Sequence, residues 1–347
     1  MSIFSGGHED FFGLDIGTTA LRVVQLKTTK DKKELVRYGQ MPLAGPISLS
    51  DSPTDKASLT AAIAQIVKVA GISARRVASN LPSNKVFTTL VDMDKLSPDE
   101  LSKTISYQAE SFIPTPLAKS KIDWVITGDS PKDPKKVEIL LSSVENSFAE
   151  SRLAVIEAAG LEVIAFEPDS LALARALLPQ NATTPQMVLD VGNVSTDLLI
   201  SLNGIPRLVR SIQIGSQTFI KAAEQNMGLN TTQAQEYVYK YGLNKDNFDG
   251  RLYNAIIATV DVLVGEIDKS IKFFAGRYGG VKPDRIVMTG GASSLPLFPL
   301  YIANKFNVNV EIGNSWRNIA YQPAKQNELL AVSGHFSVAA GLAERQL

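Results

Sequence analysis

Residues 12–19 read Phe-Gly-Leu-Asp-Ile-Gly-Thr-Thr, and residues 21–26 read Leu-Arg-Val-Val-Gln-Leu. Short runs of apolar and β-branched residues on either side of a glycine-containing turn predict a β-hairpin. Asp15 falls at the end of the first predicted strand, and Gly17 allows a tight turn because glycine has no Cβ. The chain is therefore predicted to open with a hairpin that carries a carboxylate at its tip.

The same pattern returns in the second half of the chain. Residues 188–193 read Val-Leu-Asp-Val-Gly-Asn, and residues 197–201 read Asp-Leu-Leu-Ile-Ser, which predicts a second hairpin with an Asp-x-Gly turn. Asn203 and Gly204 then form a typical two-residue hairpin turn before the next strand. Two halves that open alike indicate a duplication, so we predict two α/β lobes that face each other across a cleft.

A small module is predicted inside the first half, because residues 87–160 follow a β-α-β-β-α pattern. Its helices are predicted to begin with capping boxes, Ser97 with Glu100 and Ser147 with Glu150. The predicted subdomains are 1–86 plus 161–185 for the first lobe core, 87–160 for the inserted module, 186–215 plus 278–347 for the second lobe core, and 216–277 for an upper helical subdomain.

Composition excludes several classes of function. The 347 residues include 35 basic and 35 acidic side chains, so no global field favours nucleic acid or anionic lipid. The chain has no cysteine, which excludes disulfides and thiolate chemistry, and His8 and His335 are its only histidines. The N-terminal residues lack the pattern of a signal peptide, and the C-terminal residues lack that of an amphipathic anchor. We expect a cytoplasmic protein that reaches the membrane only through a partner.

The two turns have the chemistry of a phosphate site. Backbone N–H groups next to Gly17 and Gly192 can approach phosphate oxygens closely. Asp15 and Asp190 can hold Mg²⁺, directly or through water, because this ion prefers oxygen ligands and keeps much of its hydration. Further hydrogen-bond donors or charges at the turns are supplied by Thr18, Thr19, Arg22, Asn193 and Ser195.

A third glycine turn strengthens this interpretation. A single Asp-x-Gly motif is more often simple turn chemistry than a binding site. Here there are two, and Gly290, Gly291 and Ala292 follow another predicted strand, where an adenosine could pack against bare backbone. The combination favours a nucleotide site between the lobes.

The ordered motifs resemble the nucleotide signature of the actin/Hsp70/sugar-kinase superfamily. They are Asp-Ile-Gly-Thr-Thr at 15–19, Glu-Pro at 167–168, Asp-Val-Gly at 190–192 and Thr-Gly-Gly-Ala at 289–292. The resemblance implies an α/β, two-lobed actin-like (ribonuclease H-like) ATPase fold that binds ATP and Mg²⁺. It also implies that Glu167 positions the attacking water, whereas the alternative for this Glu-Pro pair is a strand end stopped by proline.

Within that superfamily the chain resembles the PilM family of type IV pilus assembly, which is related to FtsA. The similar stretches are residues 12–26, 107–114, 158–173 and 203–215, and Gly215 thereby joins the implied nucleotide site. The resemblance implies a cytoplasmic adaptor for the pilus platform and twitching motility. It would bind the N-terminal cytoplasmic tail of PilN in a groove between the first lobe and the inserted module, and would couple PilN to the pilus motor.

One stretch departs from the family pattern. The family usually has Ala-Glu-x-x-Lys before Tyr-Gly, and this chain has Gln235 and Val238 at the two charged positions. Lys240 is a candidate substitute, and Thr232 with Gln235 could instead form a capping box. We therefore expect nucleotide binding rather than efficient turnover, at most a slow ATPase.

Three other functions remain open at this point. An FtsA- or MreB-like filament-forming ATPase would share the fold, and self-association is compatible with either reading. A sugar or acetate kinase would need a substrate pocket with its own acid or base, and no such set accompanies Glu167. A plain α/β protein without nucleotide would require three glycine turns in superfamily order by coincidence.

Overall fold

A computed structural model describes residues 10–29, 32–179 and 181–346. His8 and most of the segment considered for a signal peptide lie outside these residues. The described residues form the following strands: β1 (Phe11–Ile16), β2 (Ala20–Thr29), β3 (Lys32–Pro42), β4 (Arg76–Leu81), β5 (Val86–Asp94), β6 (Ser120–Asp129), β7 (Lys136–Glu145), β8 (Glu162–Pro168), β9 (Gln186–Val191), β10 (Thr196–Leu202), β11 (Ile205–Ile212), β12 (Arg285–Thr289), β13 (Asn309–Ile312) and β14 (Ile319–Ala320).

Helices alternate with these strands, and short 3₁₀ turns are interspersed. The helices are α1 (Pro53–Val69), α2 (Pro98–Gln108), α3 (Asn146–Ala158), α4 (Asp169–Leu177), α5 (Ser216–Met227), α6 (Thr231–Tyr241), α7 (Arg251–Arg277), α8 (Phe298–Phe306), α9 (Gln326–Val332) and α10 (Ser337–Ala343). No helix in the described part of the chain is both long and apolar enough to span a membrane.

The two lobes contain the same sheet. In the first lobe the strand order is β14-β3-β2-β1-β4-β8, and in the second it is β11-β10-β9-β12-β13. In both, the first three strands along the chain are antiparallel and the next two add in parallel, so only the edge strand β14 lacks a counterpart. The predicted duplication is therefore visible as two copies of one topology.

Local sequence signals determine several helix ends and turns. Ser97 and Glu100 form the expected capping box at the start of α2. Gly71 follows α1 in the left-handed conformation, with Ile72 N–H donating to the Val67 carbonyl, which is a Schellman ending. The Asn203-Gly204 turn has positive φ at both residues, as a type I′ hairpin requires.

The predicted capping box of Ser147 with Glu150 is wrong. Strand β7 remains paired up to Glu145, which lies opposite Ser120, and α3 begins at the next residue. Because strand and helix adjoin without a linker, Glu145 becomes the N-cap and Ser147 already lies inside the helix. Likewise the capping box of α6 is made by Asn230 and Gln233, not by Thr232 and Gln235.

The inserted module is a three-stranded antiparallel sheet, in the order β5-β7-β6, with α2 on one face. Its core is separate from those of the lobes. The sequence places α3 in the module as well, but in the structure Val155 and Ile156 of α3 pack in the first-lobe core with Phe12 and Ile63.

Two helices, α4 and α10, lie between the sheets of the lobes. Leu173 and Leu177 of α4 pack on Val188 of the second-lobe sheet, and Leu342 of α10 joins the same apolar cluster. Close approach depends on glycine: a Cβ on Gly341 would lie 2.0 Å from the Ala172 carbonyl oxygen, and one on Gly13 would lie 2.3 Å from that of Ala339. Backbone contact between β1, α10 and α4 thus fixes how the lobes meet.

We predict that Gly341→Ala lowers stability, although alanine is ordinarily the better helix former. The added methyl group must displace backbone, and such overpacking costs roughly 1–3 kcal/mol. Gly265→Ala is the matched control, because it lies in α7 with no atom near its would-be Cβ. That change should stabilise by about 0.5–1 kcal/mol. Calorimetric melting should show a lower Tm for the first variant and a slightly higher one for the second; equal shifts in one direction would contradict the packing argument.

Candidate functional site

Both Asp-x-Gly turns are closed by the same hydrogen bond. The Gly17 N–H donates to the Ala20 carbonyl at 3.1 Å, and the Gly192 N–H donates to the Ser195 carbonyl at 3.0 Å. The strand register is also equivalent, because Asp15 lies opposite Arg22 and Asp190 lies opposite Asp197. The two lobes therefore present the same backbone device with different charges beside it.

In the first lobe the carboxylate of Asp15 is surrounded by donors. Arg22 Nη1 lies 3.2 Å from its Oδ2, and Asn80 Nδ2 lies 3.3 Å from its Oδ1. Asn80 Oδ1 also accepts the Ile16 N–H at 2.8 Å, and its Nδ2 donates to Asp169 Oδ1 at 2.9 Å. Asn80, at the end of β4, thus connects the first turn to the start of α4.

In the second lobe the turn rests on the N-terminus of α5. Ser216 N–H donates to the Gly192 carbonyl at 3.0 Å, and Gln217 N–H donates to the Asn193 carbonyl at 2.9 Å. A Cβ on Gly215 would lie only 2.5 Å from the Asn193 oxygen. Gly215 therefore supports the turn from behind.

The third glycine turn packs against the second. Gly290 follows β12 with φ of +85°, and a Cβ there would lie 2.2 Å from Asp190 Oδ1. A side chain at this position would occupy the place of the carboxylate. The need for glycine here is therefore steric as well as conformational.

All three turns open onto one cavity of about 670 Å³ between the lobes, a volume typical of cofactor sites. Of the residues named from sequence, the following line it: Asp15, Gly17, Thr18, Thr19, Arg22, Asp190, Gly192, Asn193, Ser195, Gly290 and Gly291. The structure thus brings the two aspartate-bearing tips to a single opening, whereas their binding of a nucleotide stays a prediction.

Other residues named from sequence lie outside this lining. Gly215 and Ala292 stand behind it, and the Ala292 N–H donates to the Val191 carbonyl at 3.0 Å. Lys240 lies on the exposed side of α6, with Nζ 5.3 Å from the centre of the Tyr241 ring. The helical period explains this correction, because Gln235 and Tyr239, four residues apart, share the face of α6 that lines the cavity.

Glu167 also lies away from the cavity. Its carboxylate is buried and is bound by Arg175, whose Nη1 lies 3.0 Å from Oε2, and by Arg345 at 3.2 Å. The next acid along the chain, Asp169, lines the cavity instead. Glu167 is paired with two arginines and does not reach the cavity, so it cannot orient a water molecule there. The structure does not support the water-positioning role expected of it.

Sequence reasoning missed several residues of the lining. They are Asn80, Asp169, Asp197, Lys221, Glu224, Gln235, Tyr239 and His335, none of which was predicted to bind the nucleotide. The signal for Asp197 was present, since it stands seven residues after Asp190 just as Arg22 stands seven after Asp15. The others come from distant segments, which only the tertiary fold brings together.

The cavity is strongly acidic. Burial, together with the charges of Asp197 and Asp15, raises the pKa of Asp190 to about 7 despite the nearby Arg22. Burial also raises the pKa of Asp197 to about 6 and raises the pKa values of Asp15 and Asp169. Such a site favours a cation, because added positive charge relieves both the burial and the mutual repulsion of the carboxylates.

The carboxylates of the cavity suit a cation whose remaining ligands are water or phosphate oxygens. Among the residues that the structure describes, no set of three or more His, Cys, Asp or Glu side chains is arranged to hold a metal ion alone. Asp197 Oδ1 has no hydrogen-bond partner in that part of the chain, although it is buried. Mg²⁺ commonly binds through one or two carboxylates together with water and phosphate oxygens, which fits this arrangement.

Comparison with known proteins identifies the family. A family model described as type IV pilus assembly protein PilM matches residues 13–347. The chain belongs to the PilM family. This confirms the family resemblance read from the sequence.

Solved structures confirm the fold of this PilM-family protein. A PilM-PilN type IV pilus biogenesis complex matches with a TM-score of 0.83 at 23% identity, covering 96% of this chain and 97% of that one. The ethanolamine utilization protein EutJ of Carboxydothermus hydrogenoformans matches at 0.57, with 12% identity and coverage of 96% and 88%. MreB5 of Spiroplasma citri bound to AMPPNP matches at 0.55, with 13% identity and coverage of 96% and 95%. The expected two-lobed actin-like α/β fold is correct.

We predict that Asp190→Asn stabilises the ligand-free protein at pH 8. The folded-state pKa of Asp190 is about 7 against an ordinary 3.8, so the folded protein keeps a proton that the unfolded chain loses. Stability contributed by this group is thus greatest near pH 4 and falls as pH rises to about 7. Removing the charge should add roughly 1–4 kcal/mol at pH 8, and the advantage should disappear towards pH 4.

Thermal melts of both proteins from pH 4 to pH 8 would measure this difference. The exposed Asp129→Asn serves as the control and should follow the wild type at every pH. A lower Tm for Asp190→Asn at pH 8 would contradict the buried, unneutralised carboxylate.

Proposed function

We propose that this PilM-family protein is a nucleotide-binding adaptor of the type IV pilus inner-membrane platform. It binds ATP with Mg²⁺ in the interlobe cleft and the N-terminal cytoplasmic tail of PilN on another surface, and it couples PilN to the pilus motor. It acts in the cytoplasm and reaches the membrane through PilN. The observation that carries the proposal is the convergence of two Asp-x-Gly turns on one acidic cavity.

The turns supply the phosphate and metal contacts in this proposal. Residues 17–19 and 192–195 line the opening, and the backbone N–H groups that follow the two glycines are the proposed phosphate donors, because those of Gly17 and Gly192 close the turns themselves. The hydroxyls of Thr18, Thr19 and Ser195 add donors, and Asp15 and Asp190 hold Mg²⁺ directly or through water. Bound Mg²⁺ supplies the positive charge that a triphosphate and the buried aspartates both require. The MreB5 relative, which shares the fold, was solved bound to AMPPNP.

The adenosine takes the end of the cavity formed by Gly290 and Gly291, where bare backbone allows close packing. Gln235 and Tyr239 of α6 and Lys221 and Glu224 of α5 also line the cavity, and we assign to them the polar contacts with the adenosine. The charged pair of Lys221 and Glu224 lies on α5, whereas the family motif lies on α6. We therefore leave Lys240 of α6 out of the site. With Glu167 bound by two arginines, we propose binding with at most slow hydrolysis.

The PilN tail has a candidate groove of about 640 Å³ where the module meets both lobes. Phe87, Pro114 and Phe148 give it an apolar surface, while Lys85 and Glu145 place charges at its wall. Strand β5 is an edge of the module sheet, since it pairs with β7 on one side only. An extended peptide can add to such an edge through main-chain hydrogen bonds, with side chains entering the apolar pockets. The PilM-PilN complex of the same fold supports PilN as the partner.

We predict that Asp15→Ala and Asp190→Ala each abolish binding of Mg-ATP. Each change removes a carboxylate from one side of the proposed magnesium site, and the triphosphate charge then lacks its counter-ion. Isothermal titration calorimetry with Mg-ATP measures the effect, and Asp94→Asn on the exposed rim of the module is the control. Unchanged ATP affinity in both alanine variants would refute the proposed phosphate site.

We predict that Phe87→Ala weakens binding of a synthetic PilN tail peptide about ten-fold or more, because an aromatic anchor in a groove often dominates peptide affinity. Phe87 is 37% exposed, so its removal should hardly affect folding. Tyr107→Ala is the control, because Tyr107 is 89% exposed and lies outside the groove. Fluorescence anisotropy with labelled peptide gives both affinities.

Two outcomes would count against the adaptor function. Equal peptide affinity in Phe87→Ala and wild type would show that the PilN tail does not bind in this groove. Filaments that sediment with ATP, together with no affinity for the peptide, would favour the filament-forming ATPase instead.

A further inference from the structure

A fully buried carboxylate joins the inserted module to the second lobe. Glu138 of β7 has no exposed surface. Its Oε1 accepts from Arg277 Nε and from the Tyr278 hydroxyl, both at 2.7 Å, and its Oε2 accepts from Thr127 Oγ1 at 3.1 Å and also from Arg207. Each carboxylate oxygen thus has at least two donor groups within hydrogen-bonding distance.

The partners come from both sides of the contact. Arg207 lies on β11, and Arg277 and Tyr278 lie at the end of α7, all in the second lobe. Asp92 of the module completes the set by accepting from Arg277 Nη2 at 2.7 Å. Two carboxylates thus meet two guanidinium groups, so the buried cluster is neutral as a whole.

The module surface is shaped for this cluster. Gly128 of β6 has φ of +140°, and a Cβ there would lie 3.1 Å from Arg207 Nη2. Arg207 Nη1 also donates to Thr127 Oγ1 at 2.9 Å. We call Asp92, Thr127, Glu138, Arg207, Arg277 and Tyr278 the module–lobe cluster.

Covalently, however, the module belongs to the first lobe. The chain enters it through the 3₁₀ turn Ser83–Lys85 after β4, and it leaves at Glu145, from which α3 begins directly. The module therefore bridges the two lobes, by its chain and a small apolar cluster on one side and by the module–lobe cluster on the other. Any rotation of one lobe against the other must either break the cluster or move the module.

Breaking the cluster is the costlier alternative. Separating the surfaces would leave Glu138 without the partners that compensate its burial, and buried charges without partners are strongly unfavourable. Bending on the first-lobe side needs backbone rotations at element ends, which is where hinges of moving domains are found, and a shift of the small apolar contact among Leu81, Val144 and Ala149, which buries no charge. The module should therefore travel with the second lobe although it is inserted in the first.

The groove and the cleft share a wall at this hinge. Ser83 and Asn84 line both the interlobe cavity and the groove beside β5. The groove is also lined by residues of the first lobe, such as Asp51, and by residues of β11, such as Val209. If the module and β11 move together, opening or closing of the cleft displaces only the first-lobe side of the groove relative to the other two sides.

We propose that the module–lobe cluster makes the inserted module part of the second lobe, so that nucleotide in the cleft changes the shape and affinity of the groove. The proposal rests on the proposed function, because it needs a ligand in each of the two sites. By linkage the effect is reciprocal: peptide in the groove changes nucleotide affinity by the same factor.

Distance measurements on labelled protein test the movement. The chain contains no cysteine, so pairs can be introduced cleanly at exposed positions: Lys68→Cys in the first lobe, Lys132→Cys in the module and Asn304→Cys in the second lobe. We expect Mg-AMPPNP to change the Lys68–Lys132 and Lys68–Asn304 distances and to leave the Lys132–Asn304 distance constant. The proposal would be overturned if the Lys68–Lys132 distance stayed constant while the Lys132–Asn304 distance changed. It would also be overturned if none of the three distances changed.

Binding measurements test the coupling. In the wild type we expect Mg-AMPPNP to change the Kd of the PilN tail peptide by about five-fold or more. Glu138→Gln should bring that ratio close to one while each ligand still binds alone. Asp129→Asn, which removes an exposed ion pair with Lys95 inside the module, should keep the wild-type ratio.

The outcomes separate the two proposals. If Mg-AMPPNP or the peptide fails to bind the wild type, the proposed function fails first. If both bind and Glu138→Gln keeps the wild-type ratio, the module–lobe cluster has no coupling role. Should Glu138→Gln not fold, the distance measurements on the wild-type background still decide the question.

Discussion

The arrangement of the molecule depends on backbone packing where β1, α10 and α4 meet. Gly13 and Gly341 remove the side chains that would separate these elements, and the apolar cluster around Leu173 and Val188 fills the space beyond them. Because Asp15 lies among the last, turn-proximal residues of β1 and α4 begins at Asp169, this packing also sets the positions of the first-lobe carboxylates. The cleft is thus a consequence of how closely two helices can approach two sheets.

The two lobes share one topology but carry different charges at equivalent positions beside the cleft. The position opposite the turn aspartate is arginine in the first lobe and aspartate in the second, namely Arg22 and Asp197. One lobe therefore neutralises its own carboxylate, and the other leaves two carboxylates side by side. That difference adds an unpaired carboxylate on the second-lobe side of the cleft, and the mutual repulsion of the buried carboxylates lowers the stability of the ligand-free protein.

Sequence alone predicts what local chemistry determines. A few adjacent residues determine each of the glycine turns, the Asn203-Gly204 hairpin and the start of α2. The twofold repeat of the Asp-x-Gly hairpin allowed the two-lobed fold to be predicted. Side-chain orientation around α6 required the true helix phase, and so Lys240 was assigned to the cavity in place of Tyr239. Contacts between distant segments, such as Asn80 with Asp169 and Glu138 with Arg207, leave no periodic signal in a single sequence.

The central claim is that a magnesium-bound triphosphate lies between the two aspartate-bearing turns. A crystal structure of the protein with Mg-AMPPNP tests it most directly. The account predicts phosphate density within hydrogen-bonding distance of the backbone N–H groups that follow Gly17 and Gly192, with the metal between Asp15 and Asp190. Nucleotide bound elsewhere, or phosphates in contact with only one of the two turns, would contradict it.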